Sequence, residues 1–458
     1  MKSPIDLIRS HDQRPFLALD NTVISYASFL REVEDLSSHI LTTIGDVTPH
    51  SVCVVQGANN PLSLRLITGL LEQKASIVLA HTRWPIETLS KVIEATQATH
   101  LFDSTKDNLD AKLLRRTSSL ASALGQDATV VVATSGTTAT PKLAVLSLEA
   151  LYQSAKGANR YITLGPGDCW SLSLPLFHAG GLGIFFRSIC AGSAVAIALP
   201  HSPLPPTCAV PVTHVSLVPT QLYRLLKGNE RNSLQNLSAI LVGGAPLPAT
   251  LIEQALAQKL PLFTTYGLTE MASQVTCQQA QLAGEEATAP VGKVLPYREL
   301  TLSDSGEILV RGETLFTGYL VGETVVPPCD NAGWFHTGDL GRFTSDGDLV
   351  VVGRQDAQFI SGGENIHPEM IEAAISSLPG VVAACVVPIS DNEFGQRPYA
   401  FILTENGEIN EHELLTALRQ KIPFFALPKQ ISAAPSKMVT ATGKLSKAVA
   451  LSILRGKE

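Results

Sequence analysis

Apolar residues in this chain follow two alternating patterns. Short runs rich in Val, Ile, Leu and Ala occur at residues 52–55, 76–80, 130–133, 194–199, 214–218 and 239–242. Continuous runs of that length are the composition of strands buried on both faces. Helical spacing separates them, most clearly in the segment that opens on Pro219-Thr220 and continues Gln-Leu-Tyr-Arg-Leu-Leu. Strands alternating with helices predict an α/β fold with largely parallel sheets.

The pattern changes near residue 290. Asp304-Ser305-Gly306 and Asp346-Gly347 are turn sequences between short strands, which predicts a small antiparallel β subdomain over about 290–353. From Asp356 a separate α+β pattern begins. Pro368 can open a helix, residues 381–388 and 399–404 read as strands, and Asn410 with Glu413 forms a capping box for a helix over 414–422. The expected organisation is a large N-terminal α/β domain, residues 1–355, followed by a smaller α+β domain, residues 356–458.

Composition narrows the function. A chain of 458 residues exceeds one ordinary core, and its 45% apolar content can fill more than one. A net charge of −7 without Lys/Arg blocks argues against nucleic acid as a partner. The start, Met1-Lys2-Ser3-Pro4-Ile5-Asp6, lacks the apolar core of a signal peptide. Residues 182–200 are interrupted by Arg187 and make a poor membrane span. The seven cysteines (53, 169, 190, 208, 277, 329 and 385) show no Cys-x-x-Cys spacing and read as reduced residues of a cytoplasmic protein. A homo-oligomer is compatible with all of this.

The candidate chemistry begins where the strand at 129–132 runs into Thr134, Ser135, Gly136, Thr137, Thr138, Ala139, Thr140, Pro141 and Lys142. Backbone N–H groups and hydroxyls in such a loop can wrap a polyphosphate, with Lys142 as a compact counter-charge. It is not a Walker A loop, because Pro141 precedes the lysine and Leu143 follows it. Further segments follow in order: Ser173-Leu-Pro-Leu-Phe-His178 with Gly180 and Gly181, then Gly243-Gly244-Ala245-Pro246, then Thr265-Tyr266-Gly267-Leu268-Thr269-Glu270. After these come Thr337-Gly338-Asp339, then Gly353-Arg354-Gln355-Asp356 leading to Ser361-Gly362-Gly363-Glu364-Asn365, and lastly Gly443-Lys444. No Gly-x-Ser-x-Gly elbow suggests a covalent serine intermediate.

Taken together, from about residue 130 to 450, these segments resemble the adenylate-forming superfamily of acyl- and aryl-CoA ligases, luciferases and peptide-synthetase adenylation domains. The resemblance implies ATP, Mg2+ and coenzyme A as co-substrates and cofactors, and a carboxylic acid activated as an acyl-adenylate. It also implies a mobile C-terminal lid. On the matching positions, residues 134–142 would hold the β- and γ-phosphates. Gly243, Gly244, Ala245, Pro246, Tyr266 and Gly267 would enclose adenine. Thr269 would contact the α-phosphate, Glu270 would bind magnesium, and Asp339 with Arg354 would bind ribose. Asp356 would be the hinge. Lys444 would bridge carboxylate and α-phosphate, and Gly362 and Gly363 would help form the CoA channel. Ala139 departs from the family's glycine; if that position requires φ > 0, alanine costs about 1 kcal/mol there.

For the acid, His178 matches the residue that orients the carboxylate. The absence of Asp after Phe177 disfavours amino acids. The wording of residues 173–178, 216–224, 266–270 and 360–364 is similar to the o-succinylbenzoate–CoA ligases of menaquinone biosynthesis, whose substrate carries a second carboxylate. Arg224 and Arg187 are the cations suited to that group. Arg224 is placed first because it lies one turn into a helix after a strand end. Thr220, Gln221, Gly180 and Ser273 complete the expected acid site. Other aryl- or medium-chain acyl-CoA ligases, and a stand-alone domain loading a carrier protein, are the alternatives.

Overall fold

The apolar runs assemble into two sheets. The computed structural model describes residues 4–106, 108–115, 117–124, 127–134, 141–198, 202–228, 234–281, 289–361, 364–391, 394–440 and 443–455. Val52–Gly57 lies between Ser76–Ala80 and His100–Ser104, all parallel, and Thr129–Thr134 continues the sheet beside Ser76–Ala80. In the second sheet Cys169–Leu172, His214–Leu217, Ala239–Val242 and Leu262–Leu268 are parallel neighbours. One core joins both sheets, with Phe16, Tyr26, Phe29, Trp170, Phe185 and Phe186 fully buried.

The apolar stretch at 182–200 is divided rather than continuous. The helix Ala179–Ala191 ends at Gly192, whose φ of 70° lets its N–H donate to Ser188 O at 2.8 Å. The strand Ala194–Ile197 follows. Among the described residues no helix is long and apolar enough to cross a membrane, and Cys53, Cys169, Cys277 and Cys385 are buried free thiols.

The segment from 290 to 353 is more dispersed than its turns predict. Arg298–Leu302, Glu307–Gly312, Phe335–Phe343 and Leu349–Arg354 do pair antiparallel. Gly318–Val321 and Thr324–Val326 leave that sheet. They extend the first one beside Lys142–Ser147, with Tyr319 opposite Ala144. The strand Lys142–Ser147 would otherwise present an open edge, and pairing satisfies its backbone groups. This excursion places Tyr319 next to the loop that ends at Lys142.

The C-terminal sheet contains Phe359–Ser361, Glu364–Ile366, Val381–Asp391, Gly395–Thr404 and Gln430–Ala433. It has its own core around Ile371, Ile375, Val386, Ile402 and Leu418. Pro368 opens the helix Pro368–Ser376 as expected. The next helix is Glu411–Leu418, displaced from the expected 414–422, because Asn410 caps it directly by accepting from Glu413 N at 3.3 Å.

Between Leu172 and the helix Ala179–Ala191 the chain turns tightly. Asn59 holds this turn: its Nδ2 donates to Leu172 O and Leu174 O, both at 2.9 Å, and its Oδ1 accepts from Leu176 N at 3.0 Å. A methyl on Gly181 would lie 2.1 Å from Pro175 O. Gly181→Ala is therefore expected to cost about 1–3 kcal/mol through overpacking, read as a lower denaturant midpoint. Gly165→Ala, where nothing lies within 4 Å, should leave the midpoint nearly unchanged.

Candidate active site

The sequence candidates gather at four corners, the fourth joined to the second where Lys444 meets Gly244. At the first, Lys142 Nζ lies 5.5 Å from the centre of the Tyr319 ring. The Tyr319 hydroxyl donates to Glu270 Oε1 at 2.5 Å. Glu270 is further fixed through its carbonyl, which accepts from Phe316 N at 2.8 Å. Thr134 ends the strand Thr129–Thr134 beside Lys142. Ser135, Gly136, Thr137, Thr138 and Ala139 lie outside the described residues, as do Gly362 and Gly363.

The second corner lies at the carboxyl ends of Ala239–Val242 and Leu262–Leu268, where α/β sheets open their crevices. Gly243 follows the first of these strands; a methyl there would lie 2.6 Å from Thr265 Cγ2. Tyr266 is buried and its hydroxyl donates to Asp339 Oδ2 at 2.6 Å. Arg354 Nη1 donates to Asp339 Oδ1 at 3.0 Å, while its Nε and Nη2 grip Asp356 at 2.7 and 3.1 Å. Burial raises the Asp339 pKa, against the opposing hydrogen bond from Tyr266 and the charge of Arg354. The Arg354 guanidinium lowers that of Asp356. Glu307 supports the turn by accepting from Gly338 N at 2.9 Å.

At the third corner, His178 immediately precedes the helix Ala179–Ala191 and its side chain does not cap it. Its ring packs near Phe177 and His81, with centroids 4.8 and 6.3 Å away. The residue is exposed, yet desolvation, followed by the nearby charges of His81 and Lys444, lowers its pKa to about 4. One and a half turns into the same helix, Gly183 leaves room for Arg187 Nη2 and Ser273 Oγ, which are hydrogen bonded at 3.3 Å. Arg187 is 2% exposed, lies 5.0 Å from the Trp170 ring centre, and has an Nε without a partner. Desolvation lowers its pKa to about 10.

The fourth corner comes from the C-terminal region. Lys444 Nζ donates to Gly244 O, and desolvation lowers its pKa. The turn that carries it closes through Thr440 N to Lys444 O at 2.7 Å, with Gly443 at φ 81°. This turn rests on the helix Pro219–Lys227: a methyl on Gly443 would meet Thr220 Oγ1 at 2.9 Å and Arg224 Nη2 at 3.6 Å. Farther along that helix, Tyr223 donates to Glu405, and Lys227 pairs with Glu405 at 3.0 Å.

The family described as AMP-binding enzyme matches residues 8–320, and the AMP-binding enzyme C-terminal domain matches residues 370–444. The chain belongs to the AMP-binding enzyme family. It is 32% identical over 443 residues to the 2-succinylbenzoate–CoA ligase of Salmonella typhimurium, covering 95% of this chain and 94% of that one. It is 33% identical over 395 residues to the enzyme of the same name from Haemophilus influenzae, covering 83% and 84%. Among solved structures, an arginine-to-lysine variant of E. coli MenE with bound OSB-AMS aligns with a TM-score of 0.83 at 28% identity, covering 99% of this chain and 98% of that one.

In this AMP-binding enzyme the two candidate cations of the expected acid site lie on different helices. Arg224 is not with Ser273; it is exposed on the helix Pro219–Lys227 against Gly443. Arg187 takes the place beside Ser273, because it projects from a helix that starts at His178. Gln221 is engaged as a helix cap, its Oε1 accepting from Val218 N at 3.0 Å, and Thr220 packs under the Lys444 turn. Gly180 stands in the first turn of the acid-site helix, where a methyl would lie 2.9 Å from Leu174 Cδ1. Asn59, Glu307 and Tyr319 support the site without any motif. Their polar atoms within apolar or turn sequences are the one sequence signal they leave.

The lowered pKa of His178 has a measurable sign. In the unfolded chain a histidine titrates near 6.5, so between about pH 4 and 6.5 the unfolded state binds the extra proton. The contribution of neutral His178 to stability is complete above pH 6.5 and is lost as pH falls toward 4. Its ring resonances, assigned by comparison with His178→Gln, should titrate near pH 4. An inflection at 6.5 would remove the desolvated setting from the account.

Proposed function

We propose that this chain is a 2-succinylbenzoate–CoA ligase, which uses ATP to convert 2-succinylbenzoate to its CoA thioester in menaquinone biosynthesis. The observation that carries the substrate assignment is Arg187: a buried guanidinium beside Ser273, with no carboxylate partner among the described residues. A buried unpaired cation is costly, and a carboxylate on the substrate supplies the missing partner with matched planar geometry. The relatives named above support the same reading.

The reaction has two halves. A carboxylate oxygen of the acid attacks the α-phosphorus of ATP, the bond to the bridging oxygen breaks, and pyrophosphate leaves. The sulfur of CoA then bonds to the acyl carbon and AMP leaves, the thiol proton being released. His178, neutral at working pH, orients the carboxylate without repelling or neutralising it. Lys444, donated into the cleft at Gly244, offsets the charge that accumulates between carboxylate and α-phosphate. Thr269 stands beside Glu270 for the same phosphate, and Lys142 with residues 134–142 holds the outer phosphates.

The nucleoside lies along Gly243–Pro246 and Tyr266, with its ribose hydroxyls donating to Asp339. Arg354 keeps Asp339 in place. Glu270 fits magnesium, a cation commonly held by one or two carboxylates together with substrate phosphates. Magnesium, when bound, neutralises phosphate charge. Asp356, linked to Arg354, is the pivot about which residues 356–458 swing, withdrawing Lys444 and bringing in the loop of Gly362 and Gly363 for CoA. The seven free thiols suit a reducing cytoplasm.

The test is pyrophosphate release with ATP, magnesium and CoA. The acids compared are 2-succinylbenzoate, 4-oxo-4-phenylbutanoate and 2-butyrylbenzoate, the last two each lacking one carboxylate. A preference for the diacid of roughly two orders of magnitude in kcat/KM is expected, since a site left with an unpaired buried charge rejects the analogue. Equal turnover of a monoacid, or of benzoate or octanoate, would refute the assignment.

A further inference from the structure

A second arginine lies buried behind the acid corner, and no motif points to it. Arg298 opens the strand Arg298–Leu302 and is 6% exposed. Its Nε donates to Thr314 Oγ1 at 3.3 Å, and its Nη2 donates to Ser154 O at 3.3 Å and Ser154 Oγ at 3.2 Å. Nη1 has no partner, and it lies over Gly157, where a methyl would come within 3.1 Å. No carboxylate pairs with Arg298 among the described residues. Desolvation lowers its pKa to about 9, and the charge of Arg187 pushes it the same way.

Two like charges, both buried and both without a carboxylate partner, weaken a fold. The connections from Arg298 lead to the acid site. Ser154 Oγ, which accepts from Arg298, donates to Ala272 O at 2.8 Å. Ala272 and the next residue, Ser273, have φ values of 52° and 113°. Non-glycine residues adopt such angles only where the surroundings hold them. Ser273 Oγ in turn accepts from Arg187 Nη2 at 3.3 Å. The path from Arg298 through Ser154 and the strained pair thus ends on the guanidinium assigned to the second carboxylate.

We propose that Arg298 is a positioning residue for the acid site: through Ser154 it fixes the Ala272–Ser273 turn that aims Arg187, and so sets the preference for a dicarboxylate. Its own charge, facing Arg187 across that turn, adds to the positive potential that an anionic group relieves. The inference rests on the substrate reading above.

The test measures kcat and KM for 2-succinylbenzoate, for the better of its two monoacid analogues, and for ATP. Wild type is compared with Arg298→Met, Arg298→Lys and Ser154→Ala. Arg298→Met should lower the diacid-to-monoacid ratio at least tenfold, through a raised KM for the diacid, while KM for ATP stays within twofold. Arg298→Lys, which keeps the charge and one donor, should recover part of that loss. A uniform fall for both acids and ATP would mean a merely structural arginine and would overturn the proposal, as would an unchanged ratio. Should Arg298→Met not fold, Ser154→Ala carries the test: a ratio lowered severalfold supports the relay and an unchanged ratio overturns it. A wild-type enzyme with no diacid preference would instead defeat the substrate reading itself.

Discussion

Three desolvated cations in and behind the candidate site lack a carboxylate partner among the described residues. Lys444, Arg187 and Arg298 form no ion pair among the described residues, although the whole chain carries a net charge of −7. Burial lowers the pKa of all three. Each ion removed from water costs several kcal/mol unless a partner restores the interaction. An acid with two carboxylates and a nucleoside triphosphate are such partners. On the proposed function the substrates supply these partners, and selectivity follows from the same imbalance.

The fold delivers these charges from distant parts of the chain. Arg187 comes from a helix whose start is set by Asn59 and by the glycine at 181. Glu270 and Lys142 are joined by Tyr319, which reaches them because its strand leaves the β subdomain to cover an open edge. Lys444 enters from the C-terminal region, whose contact with the helix Pro219–Lys227 runs through Gly443 and Glu405. Near Asp356, Lys447 pairs with Glu369 at 2.7 Å and with Glu372 at 3.6 Å. Burial raises the Glu372 pKa to about 7, so that ion cluster loosens as pH falls.

Much of this was legible in the sequence, for physical reasons. Buried parallel strands are continuous apolar runs, so Ser76–Ala80 and Ala239–Val242 could be read to the residue. Tyr266, Asp339 and Arg354, singled out by their resemblance to a family's motifs, are joined in the structure by hydrogen bonds. Arg224 was placed first from a strand-end rule, which gives a helix start but not which way its side chains face; it lies exposed against Gly443. Gln221, also expected at the acid site, accepts from the backbone N–H of Val218. Arg298, Glu307 and Asn59 were missed because their partners are far away in sequence. Residues 135–140, around Ala139, lie outside the described residues.

The central claim is that Lys444, inserted beside Gly244, serves one half-reaction of a cleft that awaits anions. The most direct measurement separates the halves in Lys444→Ala by rapid quench: formation of acyl-adenylate from ATP and acid, and thioester formation from supplied acyl-adenylate and CoA. Loss of a preorganised charge of this kind costs about 100-fold or more. The account predicts a loss of that size in the first half and a near-normal second half. Equal losses in both halves, or an undiminished first half, would contradict it.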